Sequence, residues 1–267
     1  MTTMAAGPRP GTGRWLRQGV RPGGGAVGDG DGGGARPRGR LVCFPHAGGT
    51  ATLYQGWGRL LPPELAQLSV QYPGRQDRFA EPCVEAMEEL ADRAAEALAA
   101  LPALPTVIFG HSMGALVAYE VARRLEQGQG ASPVVRLFAS AAPAPGIERD
   151  SLPSLDDDAL IAYACGQGGP SVDAYGEPEL RPLLMPSLRA DFRLLTEYRP
   201  DVPATPLRAP ITALGGDRDA GCTPADLSTW SDLTTAGCDL RVFPGGHFYL
   251  HDCEAELVGL VTACLSR

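Results

Sequence analysis

The chain has 267 residues, 44% of them hydrophobic, which suits one well-buried globular domain. Its formal net charge is −8, and since residues 1–40 hold seven Arg and two Asp, the remainder carries about −13; so acidic a body argues against nucleic acid as the main partner. All 23 basic residues are Arg, which excludes lysine nucleophiles, Schiff-base chemistry and the lysine of a phosphate-binding P-loop.

From the N-terminus, "RPGGGAVGDGDGGGARPRGR" (21–40) shows no apolar periodicity and cannot bury a core, so residues 1–39 are expected to form a largely disordered tail. This tail lacks the apolar core of about 7–15 residues that a signal peptide needs, and nowhere does the chain hold an apolar run of about 18 residues to span a membrane. The seven cysteines (43, 83, 165, 222, 238, 253, 264) are scattered, with no CxxC pair and no disulfide framework. The expectation is a reduced, cytoplasmic protein without a membrane anchor.

Residues 40–267 alternate strand-like and helix-like segments. Leu41–Phe44 and Leu68–Tyr72 read as strands, the second ended by Pro73-Gly74, and Ala51–Leu61 between them reads as a helix stopped by Pro62-Pro63. Residues 84–102 are rich in Ala, Glu and Leu, with Met87, Leu90, Ala94 and Leu98 near helical spacing. Thr106–Phe109 (strand), Met113–Glu126 (helix) and Val134–Ser140 (strand) follow, and later Ile211–Leu214, Leu240–Phe243 (strands) and Glu254–Leu265 (helix). This order specifies an α/β fold with a mostly parallel central sheet flanked by helices. Residues 145–208 break the rhythm: they are proline-rich, with helix-like pieces at Asp156–Cys165 and Glu179–Tyr198 around "GQGGP". So long an excursion inside a sheet protein reads as an inserted lid.

Gly110-His111-Ser112-Met113-Gly114 is a G-x-S-x-G between an apolar strand and a helix, the context a nucleophile elbow requires. The strained turn exposes the Ser112 hydroxyl and points the Met113 N–H at a developing oxyanion, and the glycines make room for close strand–helix packing. A serine needs a base, and the chain has only His46, His111, His247 and His251. His247 follows "FPGG" after a strand and lies C-terminal to any acid, giving the hydrolase order Ser, Asp, His; His251 is the rival, and His111 should point away from the Ser112 hydroxyl. In "ITALGGDRDAGCTP" (211–224) the pattern favours Asp219 as the acid that orients His247, with Asp217 the alternative and a turn or N-cap role open to both. No His/Cys/acid cluster has metal-ligand spacing and no G-x-G-x-x-G follows a strand, so neither a metal nor a dinucleotide cofactor is expected.

Together, "RLVCFPHAGGTATLY", "VQYPGRQDRFAEP", "FGHSMGALVAYEVARRL", "LGGDRDAGCTPADLSTW" and "FPGGHFYL" occur in the order and approximate spacing of type II thioesterases, the stand-alone editing enzymes of polyketide and nonribosomal peptide assembly lines. The resemblance covers residues 40–267, and "GRWLRQGVRP" (13–22) is similar to the family's lead-in to its first strand, which would make residues 23–39 an insertion. It implies the α/β-hydrolase fold, Ser112 as nucleophile, His247 as base, Asp219 as acid, the N–H groups of Ala47 and Met113 as oxyanion donors, and a helical lid over an acyl pocket. It further implies acyl and peptidyl carrier domains as partners, hydrolysis of acyl groups from their phosphopantetheine thiols, and no cofactor; a monomer is the default. Arg75 and Arg78 in "PGRQDR" suit either contact with a carrier domain or intramolecular ion pairs. The rival readings are a carboxylesterase or lipase-like enzyme on oxygen esters and a non-catalytic hydrolase-fold binding protein. The free-standing length disfavours a fused terminal domain.

Overall fold

The computed structural model describes residues 14–20, 36–128, 132–147, 152–169, 172–200 and 205–266. The strands are β1 (Leu16–Gln18), β2 (Gly39–Phe44), β3 (Leu65–Val70), β4 (Thr106–His111), β5 (Val134–Ser140), β6 (Ile211–Gly216) and β7 (Cys238–Phe243). The helices are α1 (Met87–Ala99), α2 (Met113–Gln127), α3 (Asp157–Gln167), α4 (Val172–Gly176), α5 (Arg181–Glu197), α6 (Pro224–Ser228) and α7 (Glu254–Leu265). The strands form one sheet in the order β1-β3-β2-β4-β5-β6-β7, parallel throughout except for β1, which runs antiparallel to β3 with Leu16 opposite Val70. This is the α/β-hydrolase arrangement.

Every residue of β2, β4 and β6 is buried, because helices cover both faces, and this is why these strands read as continuous apolar runs rather than as alternating ones. The alternation survives in where the side chains go. Val42, Phe44 and Ile108 enter one core with α1 and α2, while Leu41, Cys43, Val107 and Phe109 enter a second core with Trp57, Val258 and Val261.

Three segments differ from the sequence expectation. Residues 14–20 and 36–39, within the stretch 1–39 expected to be largely disordered, belong to the fold, the first of them inside the 13–22 segment that resembles the family's lead-in; the rest of residues 1–35 lies outside the described residues. The cause is Trp15, only 7% exposed, whose carbonyl accepts the Gln71 N–H (2.8 Å) and whose ring lies under the Arg78 guanidinium at 4.4 Å. One anchored aromatic orders a strand that its Gly-rich neighbours mask in the composition. Second, Ala51–Leu61 is not a helix but two 3-10 turns, Ala51–Tyr54 and Trp57–Arg59. Gly56 and Gly58 weaken an α-helix there, and Gly58 is needed for close approach, since a Cβ on it would lie 2.8 Å from the Val20 carbonyl. The turns wedge Tyr54 and Trp57 edge-on against Phe109, at 5.8 and 4.9 Å between ring centres. Third, β3 ends at Val70 rather than Tyr72, and the Gln71 side chain beyond it accepts the Ala51 N–H (2.9 Å).

The excursion expected over 145–208 contains α3, α4 and α5; residues 148–151, 170–171 and 201–204 of it are outside the described residues. Asp156 caps α3 by accepting the Ala159 N–H (3.0 Å), Gly168 closes it in the left-handed region, and α5 carries Pro182 in its first turn, where a missing N–H costs nothing.

The tightest packing lies where β4 meets α2. A Cβ on Gly114 would sit 2.1 Å from the Phe44 carbonyl oxygen and 2.6 Å from that of Pro45, and one on Gly110 would sit 2.1 Å from the Gly114 carbonyl oxygen. Backbone atoms cannot step aside as a flexible side chain can. Gly114→Ala should therefore destabilise the fold by about 1–3 kcal/mol, the usual cost of overpacking, and lower the thermal midpoint by several degrees; thermal unfolding followed by circular dichroism checks it.

Candidate active site

Three loops at the carboxyl ends of the strands assemble the site. The first is the elbow after β4. Ser112 is held at φ 56° and ψ −122°, a conformation costly for a residue with a side chain. Its own N–H is tied to the Ser140 carbonyl at 2.7 Å, and its carbonyl accepts the Ala115 N–H at 2.9 Å, so the hydroxyl is presented from a fixed backbone. Met113 opens α2, whose leading N–H groups have no acceptor within the helix.

The second loop follows β2. Tyr54 and Tyr72 donate their hydroxyls to the Phe44 and Pro45 carbonyls (2.9 and 3.2 Å), which brace the chain where it leaves β2. The chain then turns tightly, with the Gly49 N–H donating to the His46 carbonyl (2.9 Å) and Gly48 at φ 71°. Among the described residues the Ala47 N–H donates to no partner.

The third is a pair of laced loops after β6 and β7. The Asp217 N–H donates to the Phe243 carbonyl and the Arg218 N–H to that of Gly245, both at 2.8 Å, while the Asp217 carboxylate accepts the Gly245 N–H at 2.8 Å. A Cβ on Gly216 would lie 2.3 Å from the Gly246 carbonyl oxygen, so glycine is required for the loops to close on each other. This lacing sets His247 over Asp219. Asp219 Oδ2 accepts from His247 Nδ1 at 2.8 Å and Oδ1 accepts the Gly221 N–H at 2.9 Å. A carboxylate only accepts, so the His247 proton sits on Nδ1 and the Nε2 lone pair is free to take another. Of the two candidate acids, Asp219 is the one at the histidine and Asp217 braces the loop. Neither caps α6, whose capping box is Thr223 with Asp226.

Ser112, His247 and Ala47 line one cavity of about 50 Å³, roofed by Tyr163 of α3, Tyr175 of α4 and Leu188 and Phe192 of α5. Among the described residues no hydrogen bond joins the Ser112 hydroxyl to His247; such contacts are often open in a free site and tighten when substrate binds.

The other histidines are placed differently. His46 is half-buried, edge-on to Phe248 (4.8 Å between ring centres), and its buried Nδ1 has no hydrogen-bond partner among the described residues. Burial, reinforced by the charges of His247, His251 and Arg75, pushes its pKa down to about 3. His111 Nδ1 meets the Ser140 hydroxyl (2.9 Å), which meets the Tyr249 hydroxyl (2.7 Å), and burial holds its pKa well below 6.5. His251 is exposed and stacks on Phe248 at 6.0 Å.

Arg75 and Arg78 are only 5% and 4% exposed, and both are engaged within the molecule. Arg78 pairs with Glu81 (2.6 Å) and Arg75 with Asp191 of α5 (2.6 Å). Of their two expected roles, the intramolecular one is what the fold contains. Asp191 is a site neighbour that the sequence did not flag: 116 positions separate it from Arg75, and no local pattern links them.

Among the described residues no group of three or more His, Cys, Asp or Glu could hold a metal ion, and no helix is long and apolar enough to cross a membrane. Among the described residues the cysteines form no disulfide.

A serine on a strained strand-to-helix turn, sharing a cavity with a histidine held by a buried carboxylate, defines a nucleophilic hydrolase on the α/β-hydrolase fold. The chain belongs to the thioesterase family: residues 39–265 match the family model described as a thioesterase domain. It is 42% identical over 212 residues to a probable cadicidin biosynthesis thioesterase of Streptomyces griseus, a match covering 79% of this chain and 58% of that protein's length. It is 41% identical over 220 residues to thioesterase PikA5 of Streptomyces venezuelae, covering 82% of this chain and 78% of that one. Among solved structures it resembles the type II thioesterase BorB from the borrelidin biosynthetic cluster, with a TM-score of 0.79 and 36% identity over 94% of this chain and 97% of that one.

The depressed pKa of His46 makes stability depend on pH. The unfolded chain takes up a proton on it near pH 6.5, whereas folded His46 refuses it until about pH 3. Its contribution is therefore complete above about pH 6.5 and lost as pH falls toward 3, at roughly 2 kcal/mol by pH 5; burial of His111 acts in the same direction. Urea unfolding at pH 7 and pH 5 should show this loss, and His46→Leu should shrink it.

Proposed function

We propose that the protein is a stand-alone editing thioesterase that hydrolyses acyl groups from the phosphopantetheine thiol of acyl or peptidyl carrier domains of a polyketide or nonribosomal peptide synthase. The observation that carries this reading is the His247–Asp219 contact at 2.8 Å in the cavity that Ser112 lines; family membership supplies the thioester chemistry.

In the reaction, the Ser112 hydroxyl attacks the thioester carbonyl as His247 Nε2 takes its proton. Asp219 holds the Nδ1 proton and stabilises the imidazolium. The N–H groups of Ala47 and Met113 receive the oxyanion, each worth about 3 kcal/mol. The sulfur leaves with little acid assistance, since an ordinary thiol has a pKa of about 8.5, and it takes up the imidazolium proton as it departs, which returns His247 to its neutral form. His247 then activates water against the acyl-serine, and the acid product departs. No step calls on a cofactor. Helices α3 to α5 act as the lid. Buried Arg75 and Arg78 are not available to a carrier domain, and docking of one acidic protein on another rests on other surface. The protein works as a monomer.

Ser112→Ala should lower kcat for acyl-carrier-protein hydrolysis by at least about 10⁴-fold; unchanged turnover would remove Ser112 as nucleophile. Asp219→Asn should cost about 10⁴-fold in kcat, whereas Asp217→Asn, which loosens only a loop contact, should cost far less. Matched thioester and oxoester substrates separate this reading from a carboxylesterase: the thioester should be preferred.

A further inference from the structure

The turn that carries Ala47 is held from the far side by the lid. Asp191 of α5 is 1% exposed; its Oδ2 accepts the Gly48 N–H at 2.7 Å and Arg75 Nη1 at 2.6 Å, and its Oδ1 accepts Arg75 Nη2 at 2.8 Å. Arg75 also donates Nη1 to the Gly49 carbonyl (3.2 Å) and Nε to that of Pro73 (3.3 Å), and Gln71 Nε2 donates to the Arg75 carbonyl (3.3 Å). One buried ion pair therefore grips the 46–49 turn at both the Gly48 N–H and the Gly49 carbonyl. The Ala47 N–H belongs to the preceding peptide, whose carbonyl, that of His46, accepts the Gly49 N–H at 2.9 Å. A trans peptide is planar with N–H and C=O opposed, so fixing the His46 carbonyl aims the Ala47 N–H the other way.

We propose that Asp191 and Arg75 are positioning residues for the oxyanion loop: the lid carboxylate, oriented by the buried guanidinium, holds Gly48 so that the Ala47 N–H faces the reacting carbonyl. The inference rests on the proposed role of Ala47 as an oxyanion donor. It ties the lid to the chemistry, since displacing α5 releases the Gly48 N–H and lets the turn relax. Gly48 has little room to hold itself in place by other means: at φ 71°, a Cβ on it would meet the Tyr175 hydroxyl at 2.7 Å and Leu188 Cδ1 at 2.9 Å.

Removing one partner would strand a buried charge and confuse folding with function, so the informative variant removes both: Arg75→Met with Asp191→Leu, similar in volume and free of charge. The probes are an acyl N-acetylcysteamine thioester as substrate and an acyl trifluoromethyl ketone, which adds the serine hydroxyl to form a tetrahedral oxyanion. The folded double variant is expected to lose about 100-fold in kcat with KM nearly unchanged, and its affinity for the ketone should fall by the same factor. Asp191→Asn keeps an oxygen acceptor for the Gly48 N–H but leaves Arg75 uncompensated, so it should be less stable than the double variant yet more active. A purely structural role predicts the opposite, activity following stability across the set, and that outcome overturns the proposal. A folded double variant with wild-type kcat and ketone affinity also overturns it. If the double variant does not fold, Asp191→Glu serves: the charge pair persists while the carboxylate moves by a methylene, and kcat should fall with KM constant, an unchanged kcat counting against the proposal. If Ser112→Ala stays active, the proposed function fails; if it is dead while the double variant behaves as wild type, only this inference fails.

Discussion

The contact on which the rest of the molecule depends is one of backbone against backbone. Helix α2 enters so close to the end of β2 that a single Cβ on Gly114 would overlap the Phe44 carbonyl oxygen at 2.1 Å. That approach leaves no space for a gradual turn between β4 and α2, and Ser112 is forced to φ 56°. A strained residue persists only where its surroundings over-determine it. Here the Ser140 carbonyl, the first turn of α2 and the carbonyls at the end of β2 all do so. The same approach brings the β2 loop beside the elbow, so the nucleophile and the loop carrying Ala47 are placed by one packing constraint.

The helices over the cavity are fixed to this frame through α5. Helix α5 is tied at Asp191 to Arg75, at Arg193 to Glu85 (2.6 Å) and at its end by the Tyr198 hydroxyl donating to Glu120 (2.6 Å). The Arg75–Asp191 pair is almost wholly out of water, and taking two charges out of water offsets most of their attraction. Its significance is directional rather than energetic: a bidentate pair sets both the distance and the plane of the groups it joins. Helices α3 and α4 bring Tyr163 and Tyr175 over the cavity.

Much of this was legible in the chain. The strand cores at Leu41–Phe44, Thr106–Phe109 and Ile211–Leu214 are mostly apolar, without polar alternation, because both faces of the sheet are covered, and such runs need no tertiary knowledge to find. The G-x-S-x-G was readable because each glycine answers a local steric demand. Local rules failed where a distant contact decided the outcome. Trp15 orders a strand inside a Gly-rich stretch because a pocket beneath Arg78 awaits it. Residues 51–61 give up a helix because Gly58 must lie against the Val20 carbonyl and two aromatics must reach Phe109. Asp217 and Asp219, two positions apart, could not be separated by pattern alone; the lacing of the β6 and β7 loops turns one toward Gly245 and the other toward His247.

The sequence by itself determined the class of fold, the strand-to-helix setting of Ser112 and the chain order Ser, Asp, His, because these follow from hydrophobic period and from steric needs within a few residues. Only the tertiary structure decided which carboxylate meets His247, that His46 is a packed neutral ring, and that Arg75 is spent on Asp191 rather than offered at the surface. Those outcomes depend on side chains far apart in the chain becoming neighbours in a medium with little water, where an unpaired charge or donor is costly and each must find its partner.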